Sequence, residues 1–476
     1  MTHHPDPQTT PARAAYVPSL IAIGLVVSVI SALGAPLIPE IAAHYRATLG
    51  ATQWSLTATM LVGAVLSPLI GRLGDGPHRR AVLIGALAVV TAGGALAAVA
   101  PALWVLVAGR AMQGVGLALM PLTMASAREN LPAERATGVI GTLSVVAAVG
   151  IGLGYPATGF IAEYLGTAAA FWAGAAASGA ALALAVLFVP ASHHAGRAPR
   201  LDVAGAALIG AGVLCLLLAF EKGADWGWGA GRTRGLLVVA VVALAAWVVS
   251  ELRVAAPLVD LRLMRHPAVL TANVTGLVLG LAMYLGISLI TQLVQLPQGM
   301  GATPFVAGLC LIPLSITSAG ANRLMPLART ALTPRGVLPA GCTLIAVGLA
   351  FFAATGDAVW QAMVTMGLVG LGIGFTFAAM PALIVGAVPA HETSSAMSFY
   401  QVSRYVGFSL GAGLAVTLLR AFSGGDESPS SAAYGHASAA GAVLCLVAAA
   451  VAWALPGLGR RASRRAAVRA PSPRAS

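Results

Sequence analysis

Leu106 to Ala118 reads LVAGRAMQGVGLA, and the charge inside it decides how the chain folds. Arg110 follows the apolar run Leu103 to Gly109, and no further formal charge occurs until Arg128. On a helix rising ~1.5 Å per residue it lies roughly 10 Å in from Leu103, within a hydrocarbon core of ~30 Å. A guanidinium there costs ~3 kcal/mol or more unless it faces a polar cavity or a partner. The bland alternative is an arginine snorkelling from a helix end. Gln113 lies one turn on, along the same face. Gly114 and Gly116 remove side-chain bulk, so another helix or a substrate can approach closely.

The rest of the chain is built from the same material. Mean hydropathy is +0.88, and 58% of the 476 residues are hydrophobic against 9% charged. A typical soluble domain carries ~25% charged residues. The apolar residues come in helix-length packets divided by short charged punctuation, which reads as an all-α polytopic membrane protein. Counting packets gives fourteen spans, the weakest being 202–220 and 235–251. Losing both would leave twelve and the same parity. Twenty-six of the 27 basic residues are arginine, a skew that, with abundant Ala and Gly, suggests a GC-rich bacterial genome.

Orientation follows from the arginines. With both termini cytoplasmic in a bacterial inner membrane, twenty basic residues fall on the inner side and five on the outer. The pI of 10.4 then needs no nucleic acid, and the Arg-rich end is a cytoplasmic, lipid-facing tail without order. Residues 1–17 read as a cytoplasmic leader before an uncleaved first helix. The four cysteines fall one each in separate spans, so neither a disulfide nor a metal site is indicated. No cofactor is expected, and no nucleophile–base constellation or phosphate loop points to an enzyme.

Three motifs carry a resemblance. Gly71 to Leu83 reads GRLGDGPHRRAVL, placing Asp75, Arg79 and Arg80 where two helices turn. It resembles the signature loop of the major facilitator superfamily, Gly-x-Leu-Ala-Asp-Arg-x-Gly-Arg-Lys, with departures at Gly76 and His78. The stretch around Arg110 resembles the fourth-helix motif of that family, Leu-x-x-x-Arg-x-x-Gln-Gly-x-Gly-x-Ala, at every defined position. Val149 to Phe160 reads VGIGLGYPATGF. Its Gly150, Gly154 and Pro156 resemble the fifth-helix motif of the antiporters, with Tyr155 interposed before the proline. Such a ladder suits a face on which two half-transporters rock.

An internal repeat fits the same architecture. Pro132 precedes Gly150 and Gly154 by the spacing at which Pro389 precedes Gly407 and Gly411. Two related halves imply a site between them. Residues 202–265, with Trp226, Trp228, Glu251, Arg253, Pro257, Leu258 and Leu263, resemble the two-helix insert of the fourteen-helix drug:proton antiporter branch. The resemblance implies a six-helix bundle at 18–190, an insert with its loops at 191–266, a second bundle at 267–456 and a basic tail at 457–476. The two tryptophans fit an outer interfacial belt.

One departure bears on mechanism. The first helix of that branch commonly carries an aspartate, whereas LVVSVISALGAPLIPE holds no acid before Glu40. Proton coupling needs a titratable group that burial can bring into range. Glu163, Glu40 and Asp75 are the candidates. Asp75 is also expected to act as a gate latch, held by Arg79 and by the N-terminus of the helix beginning near Ser394. Arg404, in the middle of the repeated helix, is a second costly charge. A cavity with Arg110 and Arg404 suits neutral, zwitterionic or anionic amphiphiles, with Gln292, Gln295, Tyr400 and Gln401 as polar liners. The expected function is export of hydrophobic or amphiphilic drugs or antibiotics by proton antiport, from a monomer. The alternatives are a facilitator or importer of a small amphiphilic metabolite without proton coupling, and a non-transporting membrane receptor.

Overall fold

Lipid offers the backbone no hydrogen-bond partners, and a helix supplies them span by span. The computed structural model describes residues 11–33, 37–47, 49–192, 202–254, 257–264, 266–295, 299–423 and 430–469. Among the described residues the regular structure is helical throughout. Eleven segments among the described residues are long and apolar enough to cross a membrane. The first group comprises α1 (Pro11–Ala32), α2 (Ile38–His44), α3 (Leu49–Gly74), α4 (Arg79–Ala98), α5 (Leu103–Gly114), α6 (Leu119–Asn130), α7 (Ala133–Leu165) and α8 (Thr167–Phe188). A 3₁₀ turn at Val115–Ala118 joins α5 to α6, so the Arg110 span runs on to Asn130.

Next come α9 (Val203–Trp226), α10 (Gly231–Arg253) and the short α11 (Leu261–Met264). The second group is α12 (Pro267–Gln295), α13 (Pro304–Leu309), α14 (Ile312–Thr355), α15 (Val359–Ala387), α16 (Thr393–Phe422) and α17 (Ser431–Arg469). α14 folds back on itself. A Cβ added to Gly370 would run into the Leu314 carbonyl, and one on Gly372 into the Gly341 carbonyl. Those two glycines share one turn of α15, yet residues 314 and 341 of a straight helix would lie ~40 Å apart. The basic tail, expected to lack order, continues as helix as far as Arg469.

The repeat read from prolines and glycines has a packing counterpart. In the first group a side chain on Gly150 of α7 would strike Ser28 of α1, and in the second one on Gly407 of α16 would strike the Leu277 carbonyl of α12. Each glycine lets the helix carrying it lie directly on the first long helix of its own group. The groups meet along two seams, α3 against α16 and α7 against α14 and α15. α9 lies along the first seam, touching both α3 and α16, and α10 packs outside it. Val238, Val239, Val241 and Val242 of α10 are exposed, a lipid-compatible surface. Trp247 is buried and stacks on Phe399 at 5.9 Å. Trp226 is exposed as an interfacial residue would be, whereas Trp228 folds onto Phe220 at 5.4 Å.

Candidate functional site

Arg110 is 1% exposed and surrounded by backbone. Its Nη1 donates to Ile30 O at 3.3 Å and Gln113 Oε1 at 2.7 Å, its Nη2 to Leu33 O at 2.5 Å, and its Nε to Ser55 O at 3.3 Å. Ile30 and Leu33 lie at the end of α1, where the last carbonyls of a helix have no intrahelical donor and carry partial negative charge. The charge is therefore answered by a helix terminus. Thr59 Oγ1 adds a bond to Arg110 O at 2.9 Å, tying α3 to α5. Gln113 is fully buried, but its amide nitrogen turns toward Gly94 of α4.

Between the two groups lies a cavity of about 860 Å³, open space at its mouth included. α1, α3 and α5 wall one side with Val27, Ser28, Leu56, Thr59, Met60 and Arg110. α12 and α16 wall the other with Met283, Tyr284, Ile287, Gln401, Arg404 and Phe408. The remaining polar liners expected from the sequence divide. Gln401 is on the wall, accepting from Arg404 Nη1 at 2.7 Å. Tyr400 lies behind it, its hydroxyl 3.4 Å from Met380 Sδ. Gln292 and Gln295 do not line the cavity. Both are exposed and bond to their own helix, at Ser288 Oγ and Thr291 O (2.9 Å each). The face of α12 bearing Met283, Tyr284 and Ile287 is turned inward instead.

The 71–83 loop meets the second group end to end. Asp75 Oδ1 accepts from Ser394 N at 2.7 Å and Oδ2 from Ser395 N at 2.9 Å, with a further short bond from Ser395 Oγ. These are the free amides at the start of α16. Burial outweighs the three bonds and pushes the Asp75 carboxyl up to about 6. Arg79, expected beside Asp75, is instead paired with Glu129 and bonded to Gly74 O at 2.6 Å. The reason is that α6 brings Glu129 alongside the start of α4. Arg80 reaches Val186 O at 2.6 Å. Two cross-links were not foreseen in the sequence. Arg72 Nη1 donates to both carboxylate oxygens of Glu392 at 3.1 and 3.2 Å, and Arg128 donates to Thr393 Oγ1 at 2.6 Å and Val388 O at 2.9 Å. Their one sequence signal is that Glu392 and Thr393 sit in the charged turn after Pro389.

Of the ladder, Gly150 and Gly154 are buried and Pro156 is half-buried within α7. Gly150 packs within its own group, while Val145 of the same helix reaches Ala321, Met325 and Phe375 across the second seam. Glu40 is exposed in the first turn of α2, away from the cavity wall. The Glu163 side chain lies outside the described residues.

Many membrane-crossing helices in two groups, with a cavity between them, define a multi-pass membrane transporter. Residues 20–412 match the Major Facilitator Superfamily, and the chain belongs to that family. The Tetracenomycin C resistance and export protein of Streptomyces glaucescens is 28% identical over 407 residues, covering 83% of this chain and 74% of that one. The Methylenomycin A resistance protein of Streptomyces coelicolor is 27% identical over 433 residues, covering 89% and 87%. Among solved structures, the human organic anion transporter MFSD10 (TETRAN) superposes with a TM-score of 0.65 at 14% identity, covering 93% of this chain and all of that one, a likeness of fold.

Proposed function

We propose that this protein is a secondary active exporter of hydrophobic or amphiphilic drugs or antibiotics, driven by proton antiport and working by alternating access. One observation carries the reading: an apolar-walled cavity shared by both groups, while at the loop face Asp75 caps α16. Relatives named for antibiotic resistance and export support the direction of transport. In this reading the chain makes fourteen spans, with bundles at 18–190 and 267–456, α9 and α10 as the insert within 191–266, and both termini cytoplasmic in a bacterial inner membrane. It acts as a monomer. Cells with and without the gene, loaded with candidate drugs, test it. Gene-dependent export that stops when the proton gradient is collapsed is expected, and accumulation unaffected by the gene for every compound overturns it. Export that survives collapse favours a facilitator without proton coupling, a reading supported by the lack of any carboxylate among the described cavity-lining residues.

Asp75 is the latch of the cytoplasmic face. Asp75→Asn replaces one acceptor oxygen by an NH2 group that can only donate, so a buried backbone amide of α16 loses its acceptor, at about 1–3 kcal/mol. Transport is expected to fall about tenfold or more with membrane level nearly unchanged; an unaltered rate overturns the assignment. The latch also titrates. A carboxyl raised to about 6 when buried, against ~3.9 when free, binds its proton more tightly in the closed state. Closure is therefore strongest below pH ~4 and weakens as pH rises through about 6. Spin labels at the exposed positions His78 and His391 should move apart over that range, and Asp75→Asn should abolish the dependence. A flat wild-type profile contradicts it.

A further inference from the structure

We propose that Arg404 is the anion anchor of the cavity, so that the compounds transported have an apolar, aromatic body bearing one carboxylate or comparable oxyanion. The inference rests on the transport reading above and specifies its substrate class. Arg404 is 7% exposed, sits mid-span on α16 and lies on the cavity wall. Among the described residues no carboxylate pairs with it and none lines the cavity. A guanidinium kept in such a place needs another source of stabilisation, or a ligand that brings it.

The protein supplies only part of that stabilisation. Phe377, Phe408 and Tyr400 surround the guanidinium carbon, with ring centroids at 4.0, 5.6 and 5.7 Å. Aromatic rings engage the face of a guanidinium, whereas its N–H donors radiate from the edge. At that edge Nη1 donates to Gln401 Oε1 at 2.7 Å, and among the described residues the buried Nε–H has no acceptor. An oxyanion entering edge-on completes the set, and arginine offers it parallel donors. Arg110 on the opposite wall adds positive potential, but its donors are engaged by carbonyls of α1 and α3. The walls between them are Leu56, Met60, Met283 and Ile287, which suit a flat apolar body and adapt to its shape. A cationic drug would meet two guanidinium groups and, among the described lining residues, no carboxylate.

The full-length protein, purified in detergent, is titrated at neutral pH with 1-pyrenebutyrate, its primary amide and the amine of matching length, and followed by pyrene anisotropy. The acid is expected to bind about tenfold more tightly than the amide and the amine. In Arg404→Gln the three are expected to bind within about threefold of one another, with the amide near its wild-type affinity. Arg404→Lys, which keeps the charge without the fork, is expected to retain acid over amine while losing about tenfold for the acid. Equal or reversed wild-type preference, no measurable binding of the acid, or an acid preference that survives Arg404→Gln overturns the proposal. If Arg404→Gln does not fold, the wild-type order of the three probes and Arg404→Lys decide. A wild-type protein that shows no acid preference yet gives gene-dependent drug export removes the anchor alone; wild-type preference for the acid without export of any compound removes the transport reading and leaves the site.

Discussion

Arg110→Lys is expected to lose nearly all transport and to lower the melting midpoint of the detergent-solubilised protein by roughly 5 °C or more. The guanidinium reaches three backbone carbonyls and one side-chain amide oxygen from a single planar group, joining α1, α3 and α5. A lysine ammonium is a point donor and cannot span acceptors arranged around a fork. Carbonyls at the buried end of α1 are then left bare, at about 1–3 kcal/mol each. Arg110→Ala removes the charge as well and is expected to be worse, since nothing then answers the negative end of α1. A melting curve and a transport assay on both variants check this. If Arg110→Lys melts and transports as wild type does, the helix-tying role is wrong. The outcome also separates two roles: a residue needed chiefly to hold α1 lowers melting and transport together, whereas one engaged only with substrate would leave melting untouched.

Gly407→Val is expected to prevent recovery of monodisperse protein. The obstruction is backbone, because any Cβ at Gly407 meets the Leu277 carbonyl, and one at Gly411 meets that of Leu281. From the other side, a Cβ on Gly280 would lie 2.9 Å from Arg404 O. A helix backbone cannot rotate aside as a side chain can, so α16 would have to leave α12, and the cavity wall carrying Arg404 would move with it. Gly85→Val is the control, since nothing stands within 4 Å of a Cβ there and its effect should stay below ~1 kcal/mol. Size-exclusion profiles of the two variants decide the point. A Gly407→Val protein that elutes and transports normally overturns it.

Much of the site was legible because its signals are local. LVAGRAMQGVGLA marked Arg110 as a buried charge with Gln113 one turn away, and both are buried and bonded to each other. Asp75 was readable as a cap on the helix beginning near Ser394, because a carboxylate in a turn and a helix start after Pro389 are both visible in the chain. The answer to Arg110 was not legible. Every residue has a carbonyl, and which ones lack a donor depends on where α1 stops. Arg79 was assigned to Asp75 by nearness in sequence, yet Glu129, fifty residues on, holds it. Gln292 and Gln295 drew attention as polar residues in a greasy helix. The rotation of α12, set by its packing on α16, turned them outward.

By itself the sequence determined a multi-pass helical transporter with a repeated plan, because in lipid each span must satisfy its own backbone and local composition is enough to show it. The tertiary structure alone decided which groups meet across 320 residues, as Asp75 meets the Ser395 amide and Arg72 meets Glu392. It alone decided that Arg110 is occupied while Arg404 keeps a free donor. Charge pairing and donor satisfaction depend on distances of a few ångströms between helices, and those distances are set by packing that no single helix encodes.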